Sequence, residues 1–235
     1  MRFGGPPATT IERHSVTPSA PTIAEQVATL TVGLAARAPA EVLAPFARER
    51  ADLDAGGLPA GFPTPGAPMP DGKLLDVRGE PTTLALTRAG RAAVVVFYRG
   101  AWCPYCNLAL RAYQQQLVPE LSALGIALVA VSPQKPDGSL SMRETNELTY
   151  TVVSDPGNQV AGQLGILTAP TDAARGSQAA LGVNVAGLNA DGTDTLPMPT
   201  AVLVDAGGTI RWIDVHPNYA TRSEPAEILA AVAAL

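Results

Sequence analysis

A short apolar segment that runs directly into a Cys-Pro-Tyr-Cys motif is the feature that most restricts the fold of this chain. Residues 92–98 are apolar and rich in valine, which is typical of a buried strand. Apolar side chains recur at helical spacing over residues 104–122, and residues 127–132 form a second strand pattern. This order predicts a βαβ unit with parallel strands and a right-handed crossover. The motif then lies at the carboxyl end of the first strand, where open α/β sheets bind their ligands.

Both cysteines of the chain belong to this motif, at positions 103 and 106. Three residues apart on a helix, Cys103 and Cys106 share one face and can open and close a small disulfide ring. Cys103 is the predicted attacking thiol, because it lies nearest the helix N-terminus, where a thiolate is stabilised, and at the more exposed end of the strand. Cys106, one turn further in, is the predicted resolving thiol. The motif therefore indicates thiol redox chemistry.

Two other interpretations of the cysteines stay open at this point: a static disulfide, and half of a zinc site. Zinc normally takes four ligands, and the two histidines of the chain, His14 and His216, lack ligand spacing. We interpret His216 as a surface residue at a strand end. We expect no bound metal.

The composition of the 235-residue chain disfavours several classes of protein. Apolar residues make up 46% and charged residues 16%, which argues against disorder of the whole chain. A net charge of −5 disfavours nucleic acid as a partner. No apolar run approaches the ~20 residues that span a membrane, and the N-terminus has no apolar core of a signal peptide. We expect a cytoplasmic protein, in which a Cys-x-x-Cys pair is more often catalytic than structural.

Composition also divides the chain into four predicted regions. Residues 1–20, rich in Gly, Pro, Ser and Thr, are expected to be a flexible tail. Residues 21–55 are expected to form a helical hairpin, and the Gly- and Pro-rich residues 56–72 a linker without regular structure. Residues 73–235 are expected to form the redox domain.

The predicted hairpin consists of helices over residues 22–35 and about 39–52. Thr22 and Glu25 have the spacing of a capping box, which marks a helix start. The apolar face of the hairpin must pack against another surface. Three roles stay open for it: a lid on the main domain, a dimer contact, and control of substrate access. The sequence allows a homodimer but does not establish one.

The redox domain is predicted to be α/β, with a central mixed sheet flanked by helices. Further elements are expected as a strand pair at 73–77 and 81–86, a helix that includes 144–148, a strand at 150–154, a helix at 158–165, a hairpin at 200–205 and 209–215, and a helix at 224–235. Residues 168–197 are expected to be irregular.

Three residues near the cysteines are candidates for supporting roles. Arg99 precedes Cys103 by four residues and can place positive charge beside the thiolate, or it can form a solvated ion pair. Trp102 can shield one side of the site or simply pack. Pro199 begins a strand that otherwise has a core pattern, which is unusual, and a cis peptide bond in a tight turn would explain it.

Five stretches of the sequence occur together and are specific in combination: residues 97–106, 129–134, 154–158, 199–205 and 221–225. Together they resemble the peroxiredoxin-like AhpC/TSA branch of the thioredoxin superfamily, over about residues 60–228. The resemblance implies a thioredoxin fold with a helical N-terminal extension. It also implies reduction of a hydroperoxide by cysteine, a thioredoxin-type or glutathione-type reductant, and no metal or organic cofactor.

The chain departs from the pattern of that family at three positions. Peroxiredoxins resemble Pro-x-x-x-Thr/Ser-x-x-Cys, and counting back from Cys103 places Val96 and Gly100 at the Pro and Thr/Ser positions. The peroxide-activating arginine of the family falls at Pro199, and a proline there, facing the cysteine motif, is thioredoxin-like instead. The groups that activate the peroxide in that family are therefore absent at these positions. Other residues of this chain must activate the peroxide if it is a peroxidase.

Arg99 or Arg222 is the hypothesised substitute for the missing arginine. Pro104 and Tyr105 resemble the dipeptide of glutaredoxins, so a protein disulfide oxidoreductase is a rival function. A redox-sensing protein that uses the helical hairpin as a partner surface is a second rival. Of the three functions, we expect the chain to be a thiol peroxidase.

Overall fold

The computed structural model describes residues 20–58 and 60–235. Its strands are β1 (Leu74–Leu75), β2 (Pro81–Thr82), β3 (Ala93–Phe97), β4 (Ala127–Ser132), β5 (Thr151–Ser154), β6 (Leu167–Thr168), β7 (Leu196–Pro197), β8 (Thr200–Val204) and β9 (Ile210–Val215). Its helices are α1 (Ile23–Ala35), α2 (Ala40–Gly56), α3 (Leu84–Arg88), α4 (Pro104–Gln116), α5 (Val118–Ala123), α6 (Pro136–Thr145), α7 (Gln159–Gln163), α8 (Asp172–Ala180), α9 (Val185–Leu188) and α10 (Pro225–Ala233). One mixed sheet has the order β2-β1-β5-β4-β3-β8-β9, and β6 pairs separately with β7.

The predicted βαβ unit is confirmed at the centre of the sheet. β3 and β4 are parallel, with Ala93 opposite Ala127, and β5 continues the parallel order beside β4. Every residue of β3, β4 and β8 is buried, because apolar clusters cover both faces of the sheet. The strands are therefore apolar throughout instead of alternating. The single predicted crossover helix is divided into α4 and α5, since Pro119 is tolerated only in the first turn of a helix.

Several other predicted elements are confirmed with small shifts at their ends. The strand at 150–154 is β5, the helix at 158–165 is α7, the terminal hairpin is β8 with β9, and the last helix is α10. No helix of residues 20–58 and 60–235 combines the length and the apolar character that a membrane span needs.

Three predictions about elements were wrong. β1 and β2 do pair, but the predicted strand at 81–86 ends early, because the Thr83 hydroxyl accepts the Leu86 N–H and begins α3. The helix expected to include 144–148 is α6, which starts at Pro136 and ends at Thr145. Residues 168–197 are not irregular throughout, since they contain α8, α9 and β7.

The Gly- and Pro-rich segment predicted as a linker is bonded to the edge of the sheet. Gly66 donates its N–H to the Ile210 carbonyl at 2.8 Å, and Ile210 donates to the Ala67 carbonyl at 2.9 Å. Gly56 belongs to α2. Part of the predicted linker, residues 66–69, therefore lies against residues 208–210 at the start of β9. The predicted tail lies outside the described residues except for Ala20, and so does His14.

The N-terminal helical hairpin is confirmed and is fixed to the redox domain on both sides. The predicted capping box at Thr22 is present. The Glu224 carboxylate accepts the N–H groups of Ile23 and Ala24 at 2.9 and 2.8 Å, which holds the start of α1. On α2, Glu49 accepts the Thr171 N–H at 2.7 Å, at the start of α8. The hairpin therefore stands against the carboxyl end of β3, where the cysteine motif lies.

Candidate redox site

The cysteine motif follows β3 through a tight loop that only glycine permits. Gly100 has a φ of 152°. A Cβ atom there would lie 2.4 Å from the Trp102 Nε1 atom and 2.9 Å from the Gln134 Oε1 atom. The Gln134 oxygen in turn accepts the Ala101 N–H at 2.8 Å, which fixes the loop. The absence of a hydroxyl at position 100 thus has a steric cause.

Cys103 is the N-cap of α4, and Cys106 lies in its first turn. Pro104 occupies the first helical position, where its fixed φ suits the helix and its missing N–H costs nothing. Both cysteines are free thiols, and only 1% of Cys103 and none of Cys106 is exposed. The hairpin covers this end of the sheet, so both sulfurs are nearly inaccessible to solvent, which the sequence did not predict.

Arg222 contacts the sulfur of Cys106 directly. Its Nη2 donates to the Cys106 Sγ at 3.1 Å, while its Nη1 donates to the carbonyls of Tyr219 and Thr221, both at 2.6 Å. The guanidinium is thus held by backbone and aimed at one sulfur. Such a contact favours the thiolate over the thiol.

The two thiols have opposite pKa shifts. Burial raises the pKa of Cys106, but the hydrogen bond from Cys103 and the charge of Arg222 outweigh burial and lower that pKa to about 5. Burial, together with the neighbouring Cys106, raises the pKa of Cys103. The Arg222 contact therefore favours the thiolate at Cys106, whereas the sequence predicts the thiolate on Cys103.

Arg99 brings a second positive charge to the pair. Only 4% of Arg99 is exposed, and its guanidinium lies 3.9 Å from the centre of the Tyr219 ring and 5.1 Å from that of Trp102. Its Nε atom has no hydrogen-bond partner among the described residues. It forms no ion pair with any carboxylate of residues 20–58 and 60–235. Arg99 is therefore a buried cation held by aromatic rings and open to a ligand.

Two spaces of different size adjoin the two sulfurs. A cavity of about 490 Å³ is lined by Cys103, Arg99, Trp102, Pro104 and Tyr105, together with residues of the hairpin. Cys106 does not line it. Cys106 instead lines a pocket of about 10 Å³ with Pro199, Thr200, His216 and Arg222. Large ligands thus reach the pair at Cys103.

Pro199 lies next to Cys106, as its thioredoxin-like position implies. The cis peptide bond suggested for it was wrong, because the peptide bonds of residues 20–58 and 60–235 are all trans. Pro199 also accepts the His216 N–H at 2.9 Å. The structure therefore brings Pro199, Arg222 and Cys106 into one pocket, and places Arg99, Trp102, Pro104 and Tyr105 around Cys103.

A cluster around His216 was missed by the sequence analysis. His216 is partly buried, with its Nε2 atom 2.8 Å from the Asp214 Oδ2 atom and its Nδ1 atom 2.8 Å from the Thr221 Oγ1 atom. Ser223 donates to the same Asp214 oxygen at 2.7 Å. The cluster clamps the segment that carries Arg222. Its signal in the sequence is the Asp-x-His spacing, which places both side chains on one face of a strand.

The family model described as the AhpC/TSA family matches residues 65–213, which leaves α1 and α2 outside the match. A Mycobacterium tuberculosis protein assigned as a peroxiredoxin is 33% identical over 97 residues, which make up 41% of this chain and 60% of the relative. A Haemophilus influenzae protein assigned as the peroxiredoxin bcp is 32% identical over 77 residues, 33% of this chain and 49% of the relative. The chain thus spans about 60% or less of these relatives.

Solved structures show the same fold. The crystal structure of peroxidoxin BcpB from Mycobacterium tuberculosis has a TM-score of 0.55 and 18% identity, and covers 73% of this chain and 97% of its own. Reduced Prx3 from Vibrio vulnificus in complex with hydrogen peroxide has a TM-score of 0.59 and 18% identity, and covers 73% and 99%. The predicted thioredoxin fold, with a mixed sheet flanked by helices and an N-terminal helical extension, is confirmed.

Proposed function

This chain belongs to the AhpC/TSA family, and we propose from that premise that it is a peroxiredoxin-like thiol peroxidase. One observation carries the proposal: the buried guanidinium of Arg222 donates to the Cys106 sulfur, and the buried Arg99 lies on the cavity wall beside Cys103, so both favour a thiolate in the pair. The thiolate is the form of cysteine that attacks electrophiles such as a peroxide oxygen. The peroxiredoxin names of the curated relatives support the same assignment.

Access to the sulfur atoms favours Cys103 as the attacking thiol. The pocket beside Cys106 measures about 10 Å³, whereas the cavity of about 490 Å³ ends at Cys103. One water molecule needs roughly 10–15 Å³ of such space, and a hydroperoxide is larger than water. In the proposed mechanism, Cys103 therefore attacks, and Cys106 first serves as its proton acceptor and then as the resolving thiol.

The first proposed step moves the proton of Cys103 to the neighbouring Cys106 thiolate. The Cys103 sulfur then attacks the terminal oxygen of a hydroperoxide, R–O–O–H. The O–O bond breaks, Cys103 becomes a sulfenic acid, and the alkoxide takes a proton from solvent and leaves as R–OH. Arg99, on the cavity wall beside Cys103, stabilises the negative charge that develops on the peroxide oxygens.

The second proposed step forms the disulfide. Arg222 favours loss of the proton from Cys106, whose thiolate attacks the Cys103 sulfur, breaks the S–O bond and releases the oxygen as water. The net reaction converts a hydroperoxide and two thiols into an alcohol, water and a disulfide. A thioredoxin-type or glutathione-type reductant then restores the dithiol, and no metal or organic cofactor takes part. Cytoplasmic location and a homodimer also stay predictions.

Trapping the sulfenic acid tests the roles of the two cysteines. In the Cys106→Ser variant, a hydroperoxide should leave a sulfenic acid on Cys103, which a dimedone probe labels and mass spectrometry locates. The Cys103→Ser variant should lose peroxide turnover by about 10²-fold or more. The double variant is the control for labelling elsewhere. Dimedone on Cys106 in the Cys103→Ser variant, with turnover retained, would reverse the assignment.

Exchange of protein disulfides is the rival function, and burial disfavours it. The Cys-Pro-Tyr-Cys motif and the neighbouring Pro199 are its support. However, Cys103 is 1% exposed and Cys106 is fully buried, so a folded protein disulfide reaches neither sulfur while the hairpin is in place. We expect the protein to reduce insulin disulfides no faster than a free dithiol, measured by the turbidity of the released chains.

A further inference from the structure

We propose that Asp214 is a positioning residue of the redox site: through His216 and Ser223 it holds Arg222 against the sulfur of Cys106, and so prepares Cys106 to resolve the sulfenic acid. This inference rests on the proposed peroxidase function and adds a residue to its second step. Asp214 lies on β9 and lines neither of the two spaces that adjoin the sulfurs. Among the described residues its side chain bonds only His216 and Ser223.

Strand pairing fixes the place of Asp214 at the edge of the sheet. β9 is the edge strand, and Asp214 lies opposite Ala201 of β8. The pairing continues beyond the end of β9, because the His216 N–H donates to the Pro199 carbonyl at 2.9 Å. Residues two apart on a strand share a face. The side chains of Asp214 and His216 therefore stand next to each other on a rigid element.

One carboxylate oxygen of Asp214 is connected to both residues that flank Arg222. Its Oδ2 atom accepts the Ser223 hydroxyl at 2.7 Å and lies 2.8 Å from the His216 Nε2 atom. The other ring nitrogen, Nδ1, lies 2.8 Å from the Thr221 Oγ1 atom. The chain on each side of Arg222 is thus tied to the same carboxylate, once directly and once through the imidazole.

Arg222 needs this support because its other bonds do not anchor its segment to the sheet. Its Nη1 atom donates to the carbonyls of residues 219 and 221, which belong to the same segment. From outside, Tyr113 of α4 donates its hydroxyl to the Ser223 carbonyl at 2.8 Å. The segment is therefore held by α4 on one side and by Asp214 of β9 on the other, with the guanidinium aimed at the sulfur between them.

The connection through the imidazole holds in either protonation state of His216. The hydrogen bond from His216 lowers the pKa of Asp214, so the carboxylate stays charged near neutral pH and accepts the Nε2 proton. A bare Nδ1 accepts the Thr221 hydroxyl, whereas a protonated Nδ1 donates to it, and the hydroxyl then turns to the Asn218 carbonyl 2.9 Å away. The imidazole is therefore a spacer, and the carboxylate is the fixed point.

The charge of Asp214 and its positioning role act on Cys106 in opposite directions. The other titratable or charged side chains around this sulfur are Tyr98, Arg99, Cys103, Tyr113, His216 and Arg222. Burial raises the pKa of Tyr98 to about 12 and also raises that of Tyr113, so both phenols stay neutral. Loss of a negative charge lowers the pKa of a nearby thiol, whereas displacement of Arg222 raises it. Removal of the Asp214 charge therefore separates the two effects by sign.

Titration of Asp214→Asn, followed by the ultraviolet absorbance of the thiolate, is the decisive measurement. We expect the midpoint of Cys106 to rise from about 5 by roughly 0.5–1 unit, less than in Arg222→Ala. Ser223→Ala, which removes one bond to Asp214 without a change of charge, should shift it in the same direction. Asp214→Glu, which keeps the carboxylate, should shift it least. Asp52→Asn, at an exposed position of α2, is the control for the loss of charge.

A double variant shows whether Asp214 acts through Arg222. In the Arg222→Ala protein, Asp214→Asn should not raise the midpoint any further, because the guanidinium that it positions is absent. If circular dichroism shows that Asp214→Asn does not fold, Ser223→Ala in both backgrounds makes the same test. At the midpoint pH of the parent, disulfide formation after peroxide should be several times slower in Asp214→Asn, since less Cys106 is ionised.

The outcomes separate this inference from the proposed function. If the midpoint of Asp214→Asn falls or stays at the parent value, or rises equally with and without Arg222, Asp214 does not position Arg222, although the peroxidase stands. If the parent protein reacts with peroxides no faster than a free thiol, the proposed function fails, and the titrations still decide what holds Arg222 against Cys106.

Discussion

At the residue scale, two arginines act on two sulfurs in different ways. Arg222 donates to the Cys106 sulfur and lowers the pKa of that thiol. Arg99 lies over the Tyr219 ring beside Cys103, and its Nε atom has no hydrogen-bond partner among the described residues. One arginine therefore sets where the charge of the resting pair lies, and the other is free for the substrate. Both were hypothesised from the sequence as substitutes for the arginine missing at Pro199.

Removal of Arg222 should shift the titration of the pair. In Arg222→Ala the pKa of Cys106 should rise from about 5 by one unit or more. Burial raises this pKa, and the positive charge of Arg222 that lowers it is then absent. The ultraviolet absorbance of the thiolate against pH measures this shift, and Arg222→Lys should restore part of it. Arg48→Ala is the control with the same loss of charge. An unchanged midpoint in Arg222→Ala would show that another group ionises Cys106.

Gly100→Ala should destabilise the protein and disturb the site. The added methyl group would meet the Trp102 ring and the Gln134 side chain at a strained φ, so we expect a loss of about 1–3 kcal/mol. Gly176→Ala is the matched control, because a Cβ atom there meets nothing within 4 Å inside α8. Chemical unfolding of both variants measures the difference. If the two variants have equal stabilities, the loop at Gly100 is not as tightly packed as the structure indicates.

The sequence could not decide which cysteine has which role. Helix position favoured Cys103 for the thiolate, but Arg222, which is distant in sequence, donates to the Cys106 sulfur and favours the thiolate there. The Pro-x-x-x-Thr/Ser-x-x-Cys pattern of the family does not show which cysteine attacks either. Counted from Cys106 instead of Cys103, its Pro and Thr/Ser positions fall on Arg99 and Cys103. Only the three-dimensional arrangement separates access, at Cys103, from charge, at Cys106.

At the element scale, long apolar patterns were predicted well and short capped helices were not. β3 and β4 are buried on both faces, so their residues are apolar throughout and easy to recognise. α8 and α9 are short and rich in small residues, and their starts depend on single side chains. Thr171 and Asn184 accept N–H groups three residues ahead, which is a helix signal that the composition of residues 168–197 concealed.

The contact between Glu224 and α1 should control access to Cys103. Glu224→Ala removes the acceptor for two N–H groups at the start of α1, so we expect a loss of about 1–2 kcal/mol and a less firmly held hairpin. Iodoacetamide should then alkylate Cys103 faster than in the parent protein, as measured by mass spectrometry. Glu120→Ala, an exposed position on α5, is the control. Equal alkylation rates would mean that the start of α1 does not guard the site.

At the scale of the whole molecule, a family fold is combined with an extension that closes its redox site. The sheet and its flanking helices were predictable from sequence patterns and from the resemblance. The cavity was not, because Leu34, Arg50, Cys103 and Leu181 come from four separate parts of the chain. Sequence patterns describe single elements, and the cavity exists only where the elements meet.

The buried thiolate should make stability depend on pH. The pKa of Cys106 in the folded protein, about 5, lies below that of a thiol in the unfolded chain, so ionisation stabilises the fold. This contribution is complete above the pKa of the unfolded thiol and is lost as the pH falls through about 5. The free energy of unfolding of the reduced protein, relative to Cys106→Ser, should therefore be larger at neutral pH than near pH 4. A difference independent of pH would contradict the ionised pair.

The central claim is that the Cys103–Cys106 pair reduces hydroperoxides. Its most direct test is stopped-flow mixing of the fully reduced protein with hydrogen peroxide and with an organic hydroperoxide, followed by the fluorescence of Trp102 in a Trp212→Phe background. The account predicts oxidation at least about 10²-fold faster than that of a free thiol, with loss of both thiols and formation of the Cys103–Cys106 disulfide. A rate equal to that of a free thiol with both peroxides would contradict it.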